Sequence, residues 1–192
     1  MTPDEILQHF RDTNALLSGH FVLSSGMHSS AYLQCALALQ ESSDAAKFGA
    51  EIADRVAGAG FDTVASPAIG ALIIGFAVAH ALQKSFIWTE RQNGEMTLRR
   101  GFTIKAGERI LVVEDVITTG GSTRECIAAL QKNGAAVVAA ASIVDRSNGT
   151  ADVGVPRIAL VELDVPAYEP VDCPMCARGL PASKPGSRIV PV

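Results

Sequence analysis

Residues 110–132 constrain the fold of this chain more than any other stretch. The apolar, β-branched run at 110–113 is typical of a buried parallel strand, and it is followed by two adjacent acids, Glu114 and Asp115. A turn rich in glycine and hydroxyl groups comes next, and then a helical pattern over 122–132 with Ile127 and Leu130 on one face. This order predicts a strand–turn–helix unit of an open α/β sheet, whose ligand sites lie at the carboxyl ends of the strands.

The turn after the two acids is suited to a sugar phosphate. Gly120 and Gly121 let the backbone approach an anion closely, and the following helix directs its unpaired N–H groups and the positive end of its dipole toward the turn. An exposed strand end with incidental acids is the alternative, but the order and spacing of the whole stretch favour a binding site. The residues predicted to bind the sugar phosphate are Glu114, Asp115, Val116, Ile117, Thr118, Thr119, Gly120, Gly121, Ser122 and Thr123.

Two other phosphate motifs do not fit this stretch. The phosphate loop of nucleoside triphosphatases has a lysine directly after its glycines, and none follows here. The dinucleotide-binding fingerprint has spaced glycines, whereas Gly120 and Gly121 are adjacent and preceded by carboxylates.

Strand and helix patterns alternate along most of the chain. Strands are predicted at 62–65, 85–89, 109–113, 136–144 and 157–163, and helices at 3–11, 41–56, 71–82 and 122–132. This alternation predicts an α/β fold with a mainly parallel, doubly wound sheet. Extended segments at 19–23 and 31–34 predict a small amino-terminal hood. The expected parts are the hood (1–40), the core (41–163) with a polar hairpin or flap at 90–101, and a tail (164–192) that packs on the core.

Composition limits the class of protein. A chain of 192 residues with 48% hydrophobic content can bury one substantial core, and its formal net charge of −4 argues against a nucleic-acid-binding protein. The apolar stretch 69–82 is too short to span a bilayer, and Gly75 and His80 interrupt it. We therefore expect a cytoplasmic protein with small-molecule ligands and no membrane or nucleic-acid partner.

The stretch 110–123 resembles the signature of the type I phosphoribosyltransferases, which binds phosphoribosyl diphosphate (PRPP). In that family the acidic pair engages the ribose hydroxyls and the threonine–glycine turn holds the 5′-phosphate. Residues 19–29 are similar to the hood of the orotate-using branch, and 142–146 are similar to the strand whose final arginine contacts orotate. The resemblance implies that Thr118 and Arg146 bind orotate, and a guanidinium fork is well suited to clamp the orotate carboxylate.

The same resemblance implies further parts of the site. It assigns catalytic roles to Glu114, Asp115, Arg91 and Arg99, and donor binding also to Ser66 and Arg91. Residues 66–70 occupy the position of the family's diphosphate loop. Mg²⁺ is the implied cofactor, held mainly by substrate and water with no dedicated protein ligand set. The implied assembly is a homodimer with shared active sites.

This chain departs from the family pattern in its cations. Lysine is frequent in the family where this chain has Ser24 and Ile69, and the family's flexible loop carries lysine and histidine. Here that loop is short and its cations are Arg91, Arg99 and Arg100, so we predict a short-loop branch. Two alternatives stay open: a phosphoribosyltransferase for a purine or another base, and a PRPP-sensing regulator without catalysis.

The cysteines predict little by themselves. Cys173 and Cys176 form a Cys-x-x-Cys pair, which is half of a zinc site, and a tail loop with incidental reduced thiols is the favoured interpretation. Cys35 and Cys126 have no second cysteine at ligand spacing, and Cys126 lies on the apolar side of its helix, where burial is expected.

Overall fold

The structure is a computed structural model that describes residues 1–23 and 26–185. Ser24, within the predicted hood, and residues 186–192 of the predicted tail lie outside the described part. The helices are α1 (Pro3–Asp12), α2 (Cys35–Ala38), α3 (Ser42–Val56), α4 (Leu72–Leu82), α5 (Gly121–Lys132) and α6 (Pro174–Ala177). The strands are β1 (Leu16–Val22), β2 (His28–Leu33), β3 (Thr63–Pro67), β4 (Ser85–Gln92), β5 (Glu95–Leu98), β6 (Arg109–Ile117), β7 (Ala136–Asp145), β8 (Arg157–Glu162) and β9 (Ala167–Tyr168).

A six-stranded sheet in the order β5-β4-β3-β6-β7-β8 forms the centre of the molecule. Strands β4, β3, β6, β7 and β8 are parallel, and β5 adds an antiparallel edge. The predicted fold class, a mainly parallel α/β sheet, is confirmed. The predicted hairpin forms between β4 and β5, with Asn93 and Gly94 both at positive φ, as a tight two-residue turn requires.

Helices cover both faces of the sheet. Val113 of β6 packs in a core with Phe48 of α3 and Ile74 of α4, whereas Val112 packs on the opposite face with Leu130 of α5. Successive side chains of a strand point to opposite faces, so the continuous apolar run of β6 is buried on both. No helix in the described part of the chain is long and apolar enough to cross a bilayer.

The hood is a separate three-stranded sheet in the order β1-β2-β9. The first two strands pair antiparallel, and β9, from the tail, pairs with β2 through Tyr168 opposite His28. The backbone N–H of Ser183 also donates to the His20 carbonyl at 2.9 Å. The described part of the tail therefore extends the hood sheet and is built into it.

Candidate active site

Strand β6 carries two acids to the carboxyl edge of the sheet. Because side chains alternate along a strand, Glu114 lies on the face of Val112 and Asp115 on the face of Val113. Glu114 accordingly lines the cleft of the turn before α5. Asp115 lies against Gly70, where an added Cβ would stand 3.1 Å from the Asp115 Oδ2. The fold thus places the predicted diphosphate loop beside the acidic pair.

The two carboxyl groups are buried next to each other. Burial, and then repulsion by Asp115, raise the pKa of Glu114 to about 8, and burial also raises the pKa of Asp115. The backbone N–H of Val116 donates to Asp115 Oδ1 at 2.8 Å. Without a ligand the pair therefore retains a proton at neutral pH, and hydroxyl donors or a cation would favour its ionised form.

The turn after the acids encloses a cleft of about 120 Å³, lined by Glu114 and residues 116–123. Gly120 precedes α5 with a φ of 73°, and an added Cβ there would meet Val153 Cγ1 at 2.8 Å. Within the described residues no side chain caps the amino terminus of α5. The first N–H groups of this helix are therefore available to an anion, as the sequence predicts.

Arg124 is a residue of this turn that sequence reasoning did not single out. Its Nη1 donates to the Thr119 carbonyl at 2.9 Å and to the Asp152 carbonyl at 2.7 Å. The side chain therefore fixes the turn to the loop after β7 and places a cation beside the cleft. The only signal in the sequence was its position four residues after Gly120, and an arginine there is also typical of the exposed face of a helix.

The segment 66–70 contributes through its backbone. The Ser66 hydroxyl is buried and donates to the Val113 carbonyl at 2.7 Å, so this side chain joins β3 to β6. Beyond it the Ala68–Ile69 peptide bond is cis and the Ile69 side chain is 83% exposed. The Ser66 hydroxyl is therefore already engaged within the sheet, and donor binding by Ser66 remains a prediction.

Arg146 lies at the carboxyl end of β7, next to β6. Its backbone N–H donates to the Ile117 carbonyl at 2.7 Å, and burial lowers the pKa of its guanidinium. The Nε atom is buried without a hydrogen-bond partner anywhere in residues 1–23 and 26–185. A buried donor left unpaired in this way costs stability, which is typical of a group reserved for a ligand.

Asp145 anchors the turn that carries Arg146, and sequence reasoning did not assign it a role. The buried Asp145 carboxylate accepts hydrogen bonds from the Ser147 N–H at 2.7 Å, the Ser147 hydroxyl at 2.6 Å and Arg157 Nη1 at 2.5 Å. Burial raises the pKa of Asp145, but these bonds outweigh it and lower the pKa overall. The turn that carries Arg146 is therefore anchored on both sides.

Cys35 is another residue that sequence reasoning did not assign to the site. It opens α2 and is buried, and burial together with the charges of Asp115 and Glu114 raises the pKa of its thiol. The thiol lies close enough to the Asp115 carboxyl for the two groups to perturb each other, and it lies within electrostatic reach of Arg146. Helix α2 therefore brings the end of the hood to the acidic pair.

The flap arginines are all paired in this structure. Arg91 of β4 donates to Glu125 of α5. Arg100 makes two hydrogen bonds to Glu90, at 2.7 and 2.9 Å, and Arg99 lies 3.8 Å from the same carboxylate. These ion pairs involve neither Glu114 nor Asp115, so the structure does not bring the flap arginines to the acidic pair.

Residues 38–164 match the family model described as phosphoribosyl transferase domain. The chain is 53% identical over 188 residues to the orotate phosphoribosyltransferase of Pelotomaculum thermopropionicum, a match that covers 98% of this chain and 99% of the relative. The chain belongs to the orotate phosphoribosyltransferase family.

Solved structures of orotate phosphoribosyltransferases have the same fold. The enzyme of Aeropyrum pernix superposes with a TM-score of 0.70 at 28% identity, over 82% of this chain and 93% of that one. The Mycobacterium tuberculosis enzyme in complex with PRPP gives 0.65 at 25% identity, over 84% and 97%. The predicted family resemblance is thereby confirmed, while the role of each site residue remains a prediction.

Proposed function

We propose that this chain transfers the 5-phosphoribosyl group of PRPP to orotate, giving orotidine 5′-phosphate and diphosphate in pyrimidine nucleotide biosynthesis. One juxtaposition carries the proposal. The acidic pair lies on β6, and Arg146, whose buried Nε has no hydrogen-bond partner among the described residues, directly follows β7. The two strands are parallel neighbours in which Ile117 is opposite Asp145. A sugar-phosphate site and a carboxylate-binding group thus share one edge of the sheet.

The donor would bind along β6 and α5. Residues 118–123 supply N–H and hydroxyl groups to the 5′-phosphate, while Glu114 and Asp115 accept hydrogen bonds from the ribose hydroxyls. Transfer at the anomeric carbon passes through an oxocarbenium-like state, as in other glycosyl transfer. The buried carboxylates, once ionised, stabilise the positive charge that develops on the ribose.

The acceptor would bind between β7 and the end of the hood. Arg146 clamps the orotate carboxylate through its guanidinium fork, and Thr118 lies in the adjacent turn to contact the same base. An orotate ring nitrogen then forms a bond to the anomeric carbon as the bond to diphosphate breaks, and the proton of that ring N–H passes to water or to the departing diphosphate. The side chain of Arg146 positions the base and takes no part in proton transfer, because its pKa remains too high.

Mg²⁺ suits the chemistry of this site. Glu114 and Asp115 offer hard carboxylate oxygens, and a cation would relieve the repulsion between them. The substrate and water would hold most of the ion's shell, and Glu114 and Asp115 would act on it mainly through water while they bind the ribose hydroxyls. When bound, the ion neutralises charge on the departing diphosphate.

We propose further that the chain acts in the cytoplasm as a homodimer with shared active sites, and the exposed flap arginines are consistent with the sharing. Arg91 and Arg99 lie at the edge of the sheet with side chains 49% and 40% exposed, so a second subunit can reach them. Mixing Asp115→Asn chains with chains that lack both flap arginines (Arg91→Ala together with Arg99→Ala) tests the sharing. Activity in the mixture above the mean of the two separate variants supports it, and activity equal to that mean contradicts it.

Diphosphate release from PRPP and Mg²⁺ with a panel of bases tests the function. Orotate should give release, and uracil, which lacks only the carboxylate, should be at least about 100-fold slower because the Arg146 charge is then left unpaired. Faster release with adenine or hypoxanthine would instead favour the purine alternative. PRPP binding without release on any base would favour a regulator.

A further inference from the structure

Four side chains with metal-binding atoms converge where the hood meets the tail. His20 lies in β1, His28 begins β2, Cys173 precedes α6 and Cys176 lies within it. One nitrogen or sulfur atom from each lies within 4.8 Å of all the others. The sequence predicted only half of a zinc site here, because the histidines are far from the cysteines in the chain.

The distances agree with a tetrahedral shell. Cys173 Sγ and Cys176 Sγ lie 3.6 and 3.7 Å from His20 Nε2, and Cys176 Sγ lies 3.3 Å from His28 Nδ1. Nitrogen and sulfur ligands of tetrahedral zinc stand about 3.6 Å apart, given the usual bond lengths. His20 Nε2 and His28 Nδ1 are 2.8 Å apart, and an ion between them would separate them by roughly half an ångström.

The orientation of His20 favours a ligand role. Its Nδ1 lies 2.8 Å from the Leu180 carbonyl oxygen, which can only accept a hydrogen bond. The proton therefore resides on Nδ1, and Nε2 presents a lone pair toward His28 and the two cysteines. A backbone carbonyl that fixes the tautomer of a histidine in this way is a common partner of metal ligands.

We propose that His20, His28, Cys173 and Cys176 bind one Zn²⁺ ion that joins the tail to the hood. Two thiolates and two imidazoles in a tetrahedral arrangement select zinc among the common divalent ions. All four positions are filled by protein, which leaves none open for a substrate, so the ion is structural. Cys176 is exposed and gives the ion a route into the site, whereas Cys173 and His20 are buried.

The tail is hydrogen-bonded to the hood but buries little apolar surface. Among the described residues after Val161, Cys173 and Met175 are the only buried ones. Segments with so little apolar burial are commonly held by metals or disulfides, because metal binding then supplies the missing folding free energy. The same hood leads directly into α2 and Cys35, so a fixed hood also keeps that helix against the acidic pair.

Metal analysis of the purified full-length chain tests the proposal. After dialysis against a mild chelator, the wild-type chain should retain about one zinc per chain. Cys176→Ser and His28→Ala should lose it. Cys126→Ala and His80→Ala are matched controls that should retain it, because Cys126 lies on the buried face of α5 and His80 lies on the exposed side of α4.

Cobalt provides a second readout that does not depend on activity. Co²⁺ added to the zinc-free chain should give the strong visible bands of a tetrahedral site and a thiolate charge-transfer band, and both should be absent in Cys176→Ser. Limited proteolysis should cut the tail faster in the zinc-free wild type than in the zinc-loaded chain.

Three results would overturn the proposal. The first is a wild-type chain that retains no zinc and develops no cobalt bands. The second is equal zinc in the cluster variants and their controls, which would locate the ion elsewhere. The third is a Cys173–Cys176 disulfide in freshly purified, zinc-free protein, which would make the pair a redox group.

Discussion

The phosphate cradle (residues 114–123) and the arginine pocket (Arg146 with Cys35) lie on the same edge of the sheet but are built differently. The cradle comes from one continuous stretch, in which β6 and α5 orient every group. The pocket combines the end of β7 with α2, and its charge is left unpaired in the described residues. A contiguous motif can be recognised before folding, whereas a site assembled from distant segments depends on the packing of the whole domain.

The cradle and the pocket should also serve different substrates, the cradle binding PRPP and the pocket binding orotate. Changes in the cradle should impair transfer to every acceptor, because each reaction needs the activated ribose. Changes in the pocket should impair only an acceptor that carries a carboxylate. Variants of each site can therefore separate a general loss of transfer from a loss confined to orotate.

Asp115→Asn should lower kcat by about 10²–10³-fold, because the variant loses a charge that stabilises the developing ribose cation. The chain should stay folded with an unchanged or higher melting temperature, since the change removes a buried carboxylate whose ionised form burial disfavours. Kinetics with orotate and a calorimetric melt check both parts. Full activity in the variant would show that the Asp115 charge does not stabilise the ribose cation. An unfolded variant would show that its carboxylate is needed for folding.

Arg146→Ala should lower kcat/KM for orotate by about 100-fold, the expected cost of truncating one partner of a buried charged pair. The affinity for PRPP, measured by calorimetry without acceptor, should stay within a factor of two or so, since the donor does not need this residue. Arg11→Ala, an exposed change in α1, serves as the matched control. Equal losses for both substrates would contradict the division.

The apparent affinity for PRPP should rise about tenfold from pH 7 to pH 9 and then level off, because the donor selects the ionised form of Glu114. The stability of the free protein should change in the opposite direction, falling as pH rises. Between the ordinary pKa of 4.5 and the folded value of about 8, the folded chain keeps a proton that the unfolded chain releases, so the melting temperature of the free protein should fall as pH rises. Glu114→Gln should abolish both trends, and trends unchanged in that variant would assign them to another group.

Gly70→Ala should lower kcat severalfold with every acceptor, because the new Cβ would stand 3.1 Å from Asp115 Oδ2 and displace that carboxylate. Gly58→Ala is the matched control, since its Cβ would meet nothing within 4 Å. A loss confined to orotate would show that this segment acts on the pocket instead.

Arg91→Ala should have the smallest effect, a fall of a few-fold in kcat with little change in melting temperature, since exposed ion pairs contribute at most about 1 kcal/mol. Glu125→Ala breaks the same ion pair but keeps the cation. If both variants lose equal activity, Arg91 acts through the position of α5 and has no direct contact with substrate.

Much of the central sheet could be predicted because its elements have strong local periodicity. The helix expected at 122–132 is observed as Gly121–Lys132, and the strand expected at 136–144 as Ala136–Asp145. Strand β6 extends four residues beyond its expected end, through the two acids, because pairing with β7 outweighs their low strand propensity. The short elements α2 and β9 were missed, since four and two residues carry no periodic signal.

The sequence by itself determined the fold class, the strand–turn–helix unit and its acidic pair, because strand alternation, glycine freedom and the helix dipole all act between near neighbours in the chain. Tertiary structure alone decided that the Ser66 hydroxyl is used within the sheet, that Cys35 contacts Asp115, and that two histidines of the hood meet two cysteines of the tail. Those contacts join residues far apart in sequence. They form only when burial of the core fixes where each segment lies.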